Sequence, residues 1–291
     1  DAYERFVDQL LASPKYGEHQ ARYWLDAVRY GDTHGLHLDN RRGIYPYRDW
    51  VVQALNRSVP LDDFITWQLA GDLLPEPTLQ QRVATGFVRM NPTTAEGGAI
   101  PAEFQAKNNF DRVETLGTVF LGMSLTCARC HTHKYDPITQ TEYYRLMAFF
   151  NSTSENAMDG NKYEYGPVIK APASVDAWNH WQQLQAKKTA RLEEAGKRFS
   201  EPAGQEAADV RLAMVALPEG PFAGSDLQKQ AAALASEIAE AQKSFTSTLV
   251  ATELAKPRET RLLTRGEYDL PAGDPLSPGV LSVMGDLADN A

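Results

Sequence analysis

The stretch AEFQAKNNFDRVETLGTVFLG at residues 102–122, which runs on into MSLTCARCH at residues 123–131, decides how the chain is read. Phe104, Phe110, Val113, Leu116, Val119 and Phe120 form the longest apolar-periodic run of the first half, and this spacing predicts a helix over 102–122. The helix delivers the chain to Cys127-Ala-Arg-Cys130-His131. The sequence has two cysteines, and both lie in this one run with a histidine directly after the second. Cys-x-x-Cys-His is the attachment pattern of c-type haem, in which two thiols add to the vinyl groups and the adjacent imidazole ligates iron. A thiol oxidoreductase also uses Cys-x-x-Cys, but in a βαβ setting, and here helices are expected on both sides.

Working outward, the chain reads as all-α. Residues 2–12 and 16–30 are predicted helices, with Phe6, Val7, Leu10 and Leu11 on the apolar stripe of the first and Tyr16, Trp24, Leu25 and Val28 on that of the second. Pro14 stands where the second helix starts, a position at which its missing N–H costs nothing. Tyr45-Pro46-Tyr47-Arg48-Asp49-Trp50 opens another helix, Pro60 begins the next, and Thr78 with Gln81 forms a capping-box pattern for a helix ending near Met90. Thr139 with Glu142 repeats that pattern after the cysteines and starts a helix through Tyr143, Leu146, Met147 and Phe150. Two polar segments, residues 32–42 and 91–100, are loops rich in groups able to reach a site.

These elements predict a helical haem domain over 1–155. From 156 to 256 the reading is a linker and an antiparallel, coiled-coil-like helical hairpin. Its first arm carries Trp178, Trp181, Leu184, Lys188, Leu192, Ala195 and Phe199; its second carries Leu227, Ala231, Leu234, Ile238, Ala241, Phe245 and Leu249. A short helix around 205–216 is expected in the turn-back. Residues 257–291, rich in Pro and Gly, read as an irregular tail or a linker to a further domain, with no stable element at its end. Numbering from Asp1 rather than Met fits a processed protein or a fragment of a longer one.

A net charge of -9 and a pI near 5.2 argue against a nucleic-acid partner, which needs clustered Lys and Arg. No apolar run approaches the roughly 18 residues of a spanning helix, so no transmembrane segment is expected. Covalent haem attachment normally takes place outside the cytoplasmic membrane, which makes the motif itself the argument for a periplasmic or otherwise extracytoplasmic location.

Cys127 and Cys130 are the expected thioether positions and His131 the proximal iron ligand. His133, two residues on, is placed as a neighbour contacting the propionates, with Arg112, Arg129 and Lys134 as their counter-charges. For the opposite iron face the candidates are His34, His37, Met123 and Met90, with His34 favoured. Zinc at Cys127 and Cys130 lacks a second paired knuckle, and a Cys127–Cys130 disulfide is the plain alternative for an exported protein. The acids Asp26, Asp32, Asp39, Asp49, Asp72, Glu96 and Asp111 offer calcium-binding or acid–base chemistry, but their spacing forms no known loop.

Several motifs in order carry a resemblance. They are Leu10-Leu11-Ala12-Ser13-Pro14, Tyr16-Gly17-Glu18, Trp24-Leu25-Asp26, Pro46-Tyr47-Arg48-Asp49-Trp50-Val51, Gln68-Leu69-Ala70-Gly71-Asp72-Leu73-Leu74-Pro75, Glu96-Gly97-Gly98, Asp111-Arg112-Val113 and Cys127 through Pro137. The chain resembles the DUF1549 family of exported planctomycete and verrucomicrobial proteins, often paired with a DUF1553 domain and sometimes with a cytochrome-c-like domain. The resemblance implies an exported, haem-linked protein with no established activity, and marks Asp26, Arg48, Asp49, Asp72, Glu96, Asp111 and Arg112 for attention. Tyr23 stands where many relatives have His, and Thr132 where an acid is common. The leading expectation is a mono-haem c-type cytochrome domain that transfers single electrons to a redox partner protein or within a multisubunit complex. The alternatives are a haem-dependent oxidoreductase on a small or sugar-derived substrate, and an interaction subunit in which haem stabilises the fold.

Overall fold

The computed structural model describes residues 1–196 and 208–285. The chain is mostly helical, as its periodicity requires, and it divides into two units: Asp1–Ile169 with the chain from Thr248 onward, and Lys170–Ser247.

The first unit holds α1 (Ala2–Leu11), α2 (Lys15–Ala27), α3 (Tyr45–Asn56), α4 (Leu61–Ala70), α5 (Leu79–Ala84), α6 (Pro101–Leu116) and α7 (Gln140–Asn151). Each start has a local cause. Pro14 and Pro60 sit immediately before α2 and α4, while Thr78 and Thr139 close capping boxes with Gln81 and Glu142. The predicted helix to Met90 tightens after Ala84 into a 3-10 segment, Thr85–Arg89, and the predicted helix over 102–122 widens after Leu116 into a π turn, Gly117–Leu121, before Gly122 ends it.

α2 and α3 pack closely because Gly17 has no side chain. A Cβ there would meet the Val52 carbonyl oxygen at 2.4 Å, and the Gly17 N–H instead donates to Asn56 Oδ1 at 2.8 Å. Beside them the aromatic core stacks Trp50 on Phe64 (5.3 Å between ring centroids) and sets Trp24 edge-on to Phe64 (4.9 Å). Gln68 serves the polar atoms of this cluster. Its Oε1 accepts from Trp24 Nε1 (3.0 Å) and Tyr47 Oη (2.7 Å), while its Nε2 donates to the Phe64 carbonyl (2.8 Å). These aromatics therefore form core.

The tail differs from its sequence reading. β3 (Leu262–Leu263) pairs antiparallel with β4 (Pro271–Ala272), and Leu281 is fully buried. Glu142 fastens the segment. One of its carboxylate oxygens accepts from the N–H and hydroxyl of Thr139 (both 2.7 Å), and the other from the Ser282 N–H (2.8 Å). Of the tail's apolar residues able to dock, Leu262, Leu263, Val280 and Leu281, Leu263 and Leu281 are buried, and β3 packs on α7, more than a hundred residues earlier.

α8 (Val175–Gly196) and α10 (Asp226–Lys243) are the two expected arms, and the short helix expected around 205–216 is present as α9 (Ala208–Ala216), which packs on both and makes the second unit a small three-helix bundle. Trp178, Leu184, Leu227, Ala231 and Leu234 are buried as the periodicity predicted, whereas Phe199 lies outside the described residues. Lys188 interrupts the stripe because its ammonium reaches Asp209 Oδ1 of α9 at 2.7 Å, keeping its charge at the edge while its stem packs. The 4-3-4-3-4 pattern runs past the end of α10, since Phe245 follows the helix and Leu249 belongs to β2 (Thr246–Leu249). β2 pairs with β1 (Val168–Ala171). Among the described residues no helix is long and apolar enough to cross a membrane.

Glu142 yields a test. Burial alone would raise its proton affinity, but the hydrogen bonds from Ser282 and Thr139 outweigh it and bring its pKa to about 2. The folded value lies below the ordinary 4.5, so this contribution is whole above pH 4.5 and disappears as pH falls toward 2. Glu142→Gln is expected to cost about 1–3 kcal/mol at neutral pH, and limited proteolysis should cut the tail first.

Candidate functional site

The cysteines lie on one turn. Thr126–Arg129 is a 3-10 segment, and the Cys127 carbonyl accepts the N–H groups of both Cys130 (3.3 Å) and His131 (3.4 Å). Both thiols are free and exposed. His131 is exposed too, and its Nδ1 lies 2.7 Å from the Thr132 carbonyl. Nδ1 must therefore be the protonated nitrogen, which leaves the Nε2 lone pair pointing away from the backbone.

The turn is braced on three sides. Ala128 is fully buried beneath it. The Arg129 carbonyl accepts from Tyr144 Oη and Gln140 Nε2, both at 3.0 Å, while the Arg129 guanidinium lies 5.0 Å over the Phe110 ring and 3.6 Å from Glu114. The third brace comes from the tail. Gln140 Nε2 also donates to the Leu263 carbonyl (3.3 Å), and the turn that follows passes directly over Cys130. A methyl group at Gly266 would stand 3.2 Å from Cys130 Sγ and 3.1 Å from Arg129 Cγ, and Gly266 has a φ of +77°. The Arg265-Gly266 pair was read only as part of a Pro/Gly-rich tail. Its flanking Leu262-Leu263 was the available sign that this turn is docked.

The other expected site residues fall elsewhere. His133 is turned inward: its Nδ1 accepts the Asp136 N–H at 2.8 Å, and its own N–H donates to the Ile138 carbonyl at 2.8 Å. It pins the loop after the motif and is not turned outward to meet a propionate. Arg112 is buried and fully engaged. It donates to the Val88 carbonyl (2.9 Å), Thr153 Oγ1 (3.1 Å) and Asn91 Oδ1 (3.2 Å), and pairs with Glu155 at 2.5 Å. It supplies no free charge at the motif.

His34, the favoured distal ligand, is likewise buried. Its Nε2 lies 2.9 Å from the Lys162 carbonyl, and its Nδ1 faces Asp159 Oδ2 at 3.3 Å. Both nitrogens are spent on the protein, so it presents none to iron. Met90 is core, and Met123 is half-buried beside the π turn. The loops holding His34 and Glu96 do meet each other. The Thr93 N–H donates to the His34 carbonyl (2.9 Å), and His37 Nδ1 is 4.0 Å from Glu96. Among the described residues no hydrogen bond or ion pair joins either loop to Cys127–His131. Nor do three or more His, Cys, Asp or Glu side chains gather anywhere among them to hold a metal ion, which leaves zinc at the two thiols without its remaining ligands.

A family model described as "PSCyt2: Protein of unknown function (DUF1549)" matches residues 1–155, more than half of the chain. The chain belongs to the DUF1549 family. No curated protein and no solved structure matches it. The DUF1549 match takes in α1 to α7 and the cysteine turn and ends at Glu155, the buried partner of Arg112. The tail brace lies beyond it. Within the matched residues, Gly17 admits α3, Gln68 serves the aromatic cluster, and Arg112 anchors Glu155. Tyr23 is exposed, with its ring 5.6 Å from that of His19.

Two expected outcomes follow from this geometry. Gly266→Val should cost about 1–3 kcal/mol, from its left-handed backbone and the crowding of Cys130, and should change the rate at which Cys130, but not Cys127, reacts with a thiol reagent. Glu155 is held at a pKa of about 2: burial would raise it, and the charges of Arg112 and Arg89 reverse that effect. Its contribution is present above 4.5 and lost as pH falls toward 2. Glu155→Gln, which strands Arg112, should cost about 3–5 kcal/mol at neutral pH and flatten the acid limb of the stability curve.

Proposed function

We propose that Cys127, Cys130 and His131 form the covalent attachment site of one haem c and that the first unit is an electron-transfer module. The observation that carries this is the His131 ring, tied through Nδ1 to the Thr132 carbonyl at 2.7 Å beside two free, exposed thiols on the same turn. A ligating histidine almost always gives its other ring N–H to such an acceptor, which fixes the tautomer and orients the ring.

The residues present fit the group. Attachment consumes two thiols: each S–H adds across one vinyl C=C, sulfur to one carbon and hydrogen to the other, with nothing released and no oxidant required. Free cysteines meet that requirement and a disulfide would not. When bound, the haem supplies one-electron transfer at its iron. The chain's own contribution is positional. The Cys127 carbonyl holds the turn, Tyr144 and Gln140 hold Arg129, and the tail backbone at Gly266 limits how far the Cys130 sulfur can swing.

The reading carries an extracytoplasmic location with it, along with a redox partner protein or larger complex that includes a DUF1553-type domain. The ligand of the opposite iron face is left to a group other than His34.

The experiment is expression alongside a c-type cytochrome maturation system, with haem content read from the pyridine haemochrome spectrum. One haem per chain is expected, with none in Cys127→Ser/Cys130→Ser and an altered visible spectrum in His131→Ala. An intact, folded chain that emerges without haem, or with stoichiometric zinc, contradicts the proposal.

A further inference from the structure

The first unit contains a cavity of about 330 Å³ that no residue of the cysteine turn lines. Its walls come from six separated parts of the chain: Leu69, Ala70 and Leu73 at the end of α4, Val88, Leu116, Leu146 and Phe150 of α7, Ala251, and Val280. Val88, Leu146, Phe150 and Ala251 are buried and make the floor, while Leu73 and Phe149 are exposed and stand at the mouth. The volume lies at the small end of the roughly 300–1,000 Å³ range of small-molecule sites.

Two carboxylates break this apolar lining, Asp72 and Glu253. Glu253 is placed by the backbone: residues 152–154 and 252–254 pair antiparallel, with Thr153 opposite Glu253 and hydrogen bonds of 2.8 Å on both sides. Burial raises the proton affinity of both acids, and the charge of Asp72 raises that of Glu253 further. A third acid nearby, Glu155, is already matched by Arg112. Among the described residues neither Asp72 nor Glu253 has an ion-pair partner within 4 Å, and Arg82 acts on Asp72 only at longer range. Two acids without an ion-pair partner that line the same apolar hollow are stabilised by a cation brought from outside.

A bare metal ion would need further ligands, and no group of three His, Cys, Asp or Glu exists among the described residues to supply them. An organic cation needs none, because its body can take up the apolar walls.

We propose that this cavity is a binding site for a small organic monocation, a primary ammonium on a compact apolar body, with the ammonium between Asp72 and Glu253 and the body against Leu146, Phe150 and Val88. The site is independent of whatever Cys127 and Cys130 carry. It concerns a different face of the fold from the redox chemistry, and its ligand class is set by charge and volume alone.

The test uses the full chain and three probes of one shape: phenethylammonium, neutral 2-phenylethanol and anionic 3-phenylpropionate, titrated calorimetrically at neutral pH. Phenethylammonium is expected to bind about tenfold more tightly than 2-phenylethanol, the effect of two partly exposed charge contacts, and the anion not at all. Asp72→Asn/Glu253→Gln should bring the ammonium and the alcohol to equal affinity in a chain that still melts cooperatively. Should the double variant fail to fold, Glu253→Gln alone, at an exposed position, should remove about two- to threefold of the preference. Equal binding of the ammonium and the alcohol by the native chain, binding of neither, or a preference that survives the substitutions overturns the proposal.

Discussion

The buried pair of Arg112 and Glu155 is the constraint on which the first unit depends. Two charges removed from water are costly unless every remaining donor finds an acceptor. Arg112 meets that condition by reaching the Val88 carbonyl, Asn91 and Thr153 at once. The pair thus fixes three segments against one another: α6, the chain leaving the 3-10 turn, and the chain leaving α7. Two further buried arginines extend the same logic. Arg42 donates to the carbonyls of Met90 (3.2 Å) and Asn91 (2.9 Å), and Arg89 to those of Val250 (2.8 Å) and Gly166 (3.2 Å). Irregular backbone at 89–91 can be buried, and that at 166–167 half-buried, because these guanidinium groups satisfy it.

That arrangement positions the cysteine turn indirectly. α6 and α7 are held in place by the arginine network. The turn between them hangs from Ala128 below and from Tyr144 and Gln140 beside it, and the tail closes over it at Gly266. The tail is held in turn by Glu142, the partner of Thr139 in the capping box of α7. One side chain therefore both starts a helix and secures the segment that limits Cys130.

The helices were legible in the sequence because their signals are local. The capping boxes at Thr78 and Thr139, the prolines before α2 and α4, and the apolar spacing of α8 and α10 need no knowledge of tertiary structure. The third helix of the second unit was legible as well, as the short helix expected around 205–216; what local signals did not give was its packing, with Asp209 meeting Lys188 of the first arm. What could not be read was long-range. His34, His37 and His133 look alike as letters, yet one is buried against Asp159 and Lys162, one is partly exposed near Glu96, and one accepts a backbone N–H. Arg112 read as a surface counter-charge because nothing in its neighbourhood announces that Glu155, forty-three positions away, would take it into the core. The carboxylates of the apolar cavity were named separately or not at all, since Asp72 and Glu253 meet only after the chain has returned from the second unit.

The central claim, that Cys127 and Cys130 hold one haem between them, is tested most directly by tryptic mapping of the native chain. Arg129 lies between the two cysteines, so cleavage yields one peptide over residues 113–129 and another over 130–134. The account predicts that the two remain joined as a single species that absorbs in the Soret region and resists reductant. Two separate peptides with free thiols, or a colourless pair that reductant splits, would contradict it.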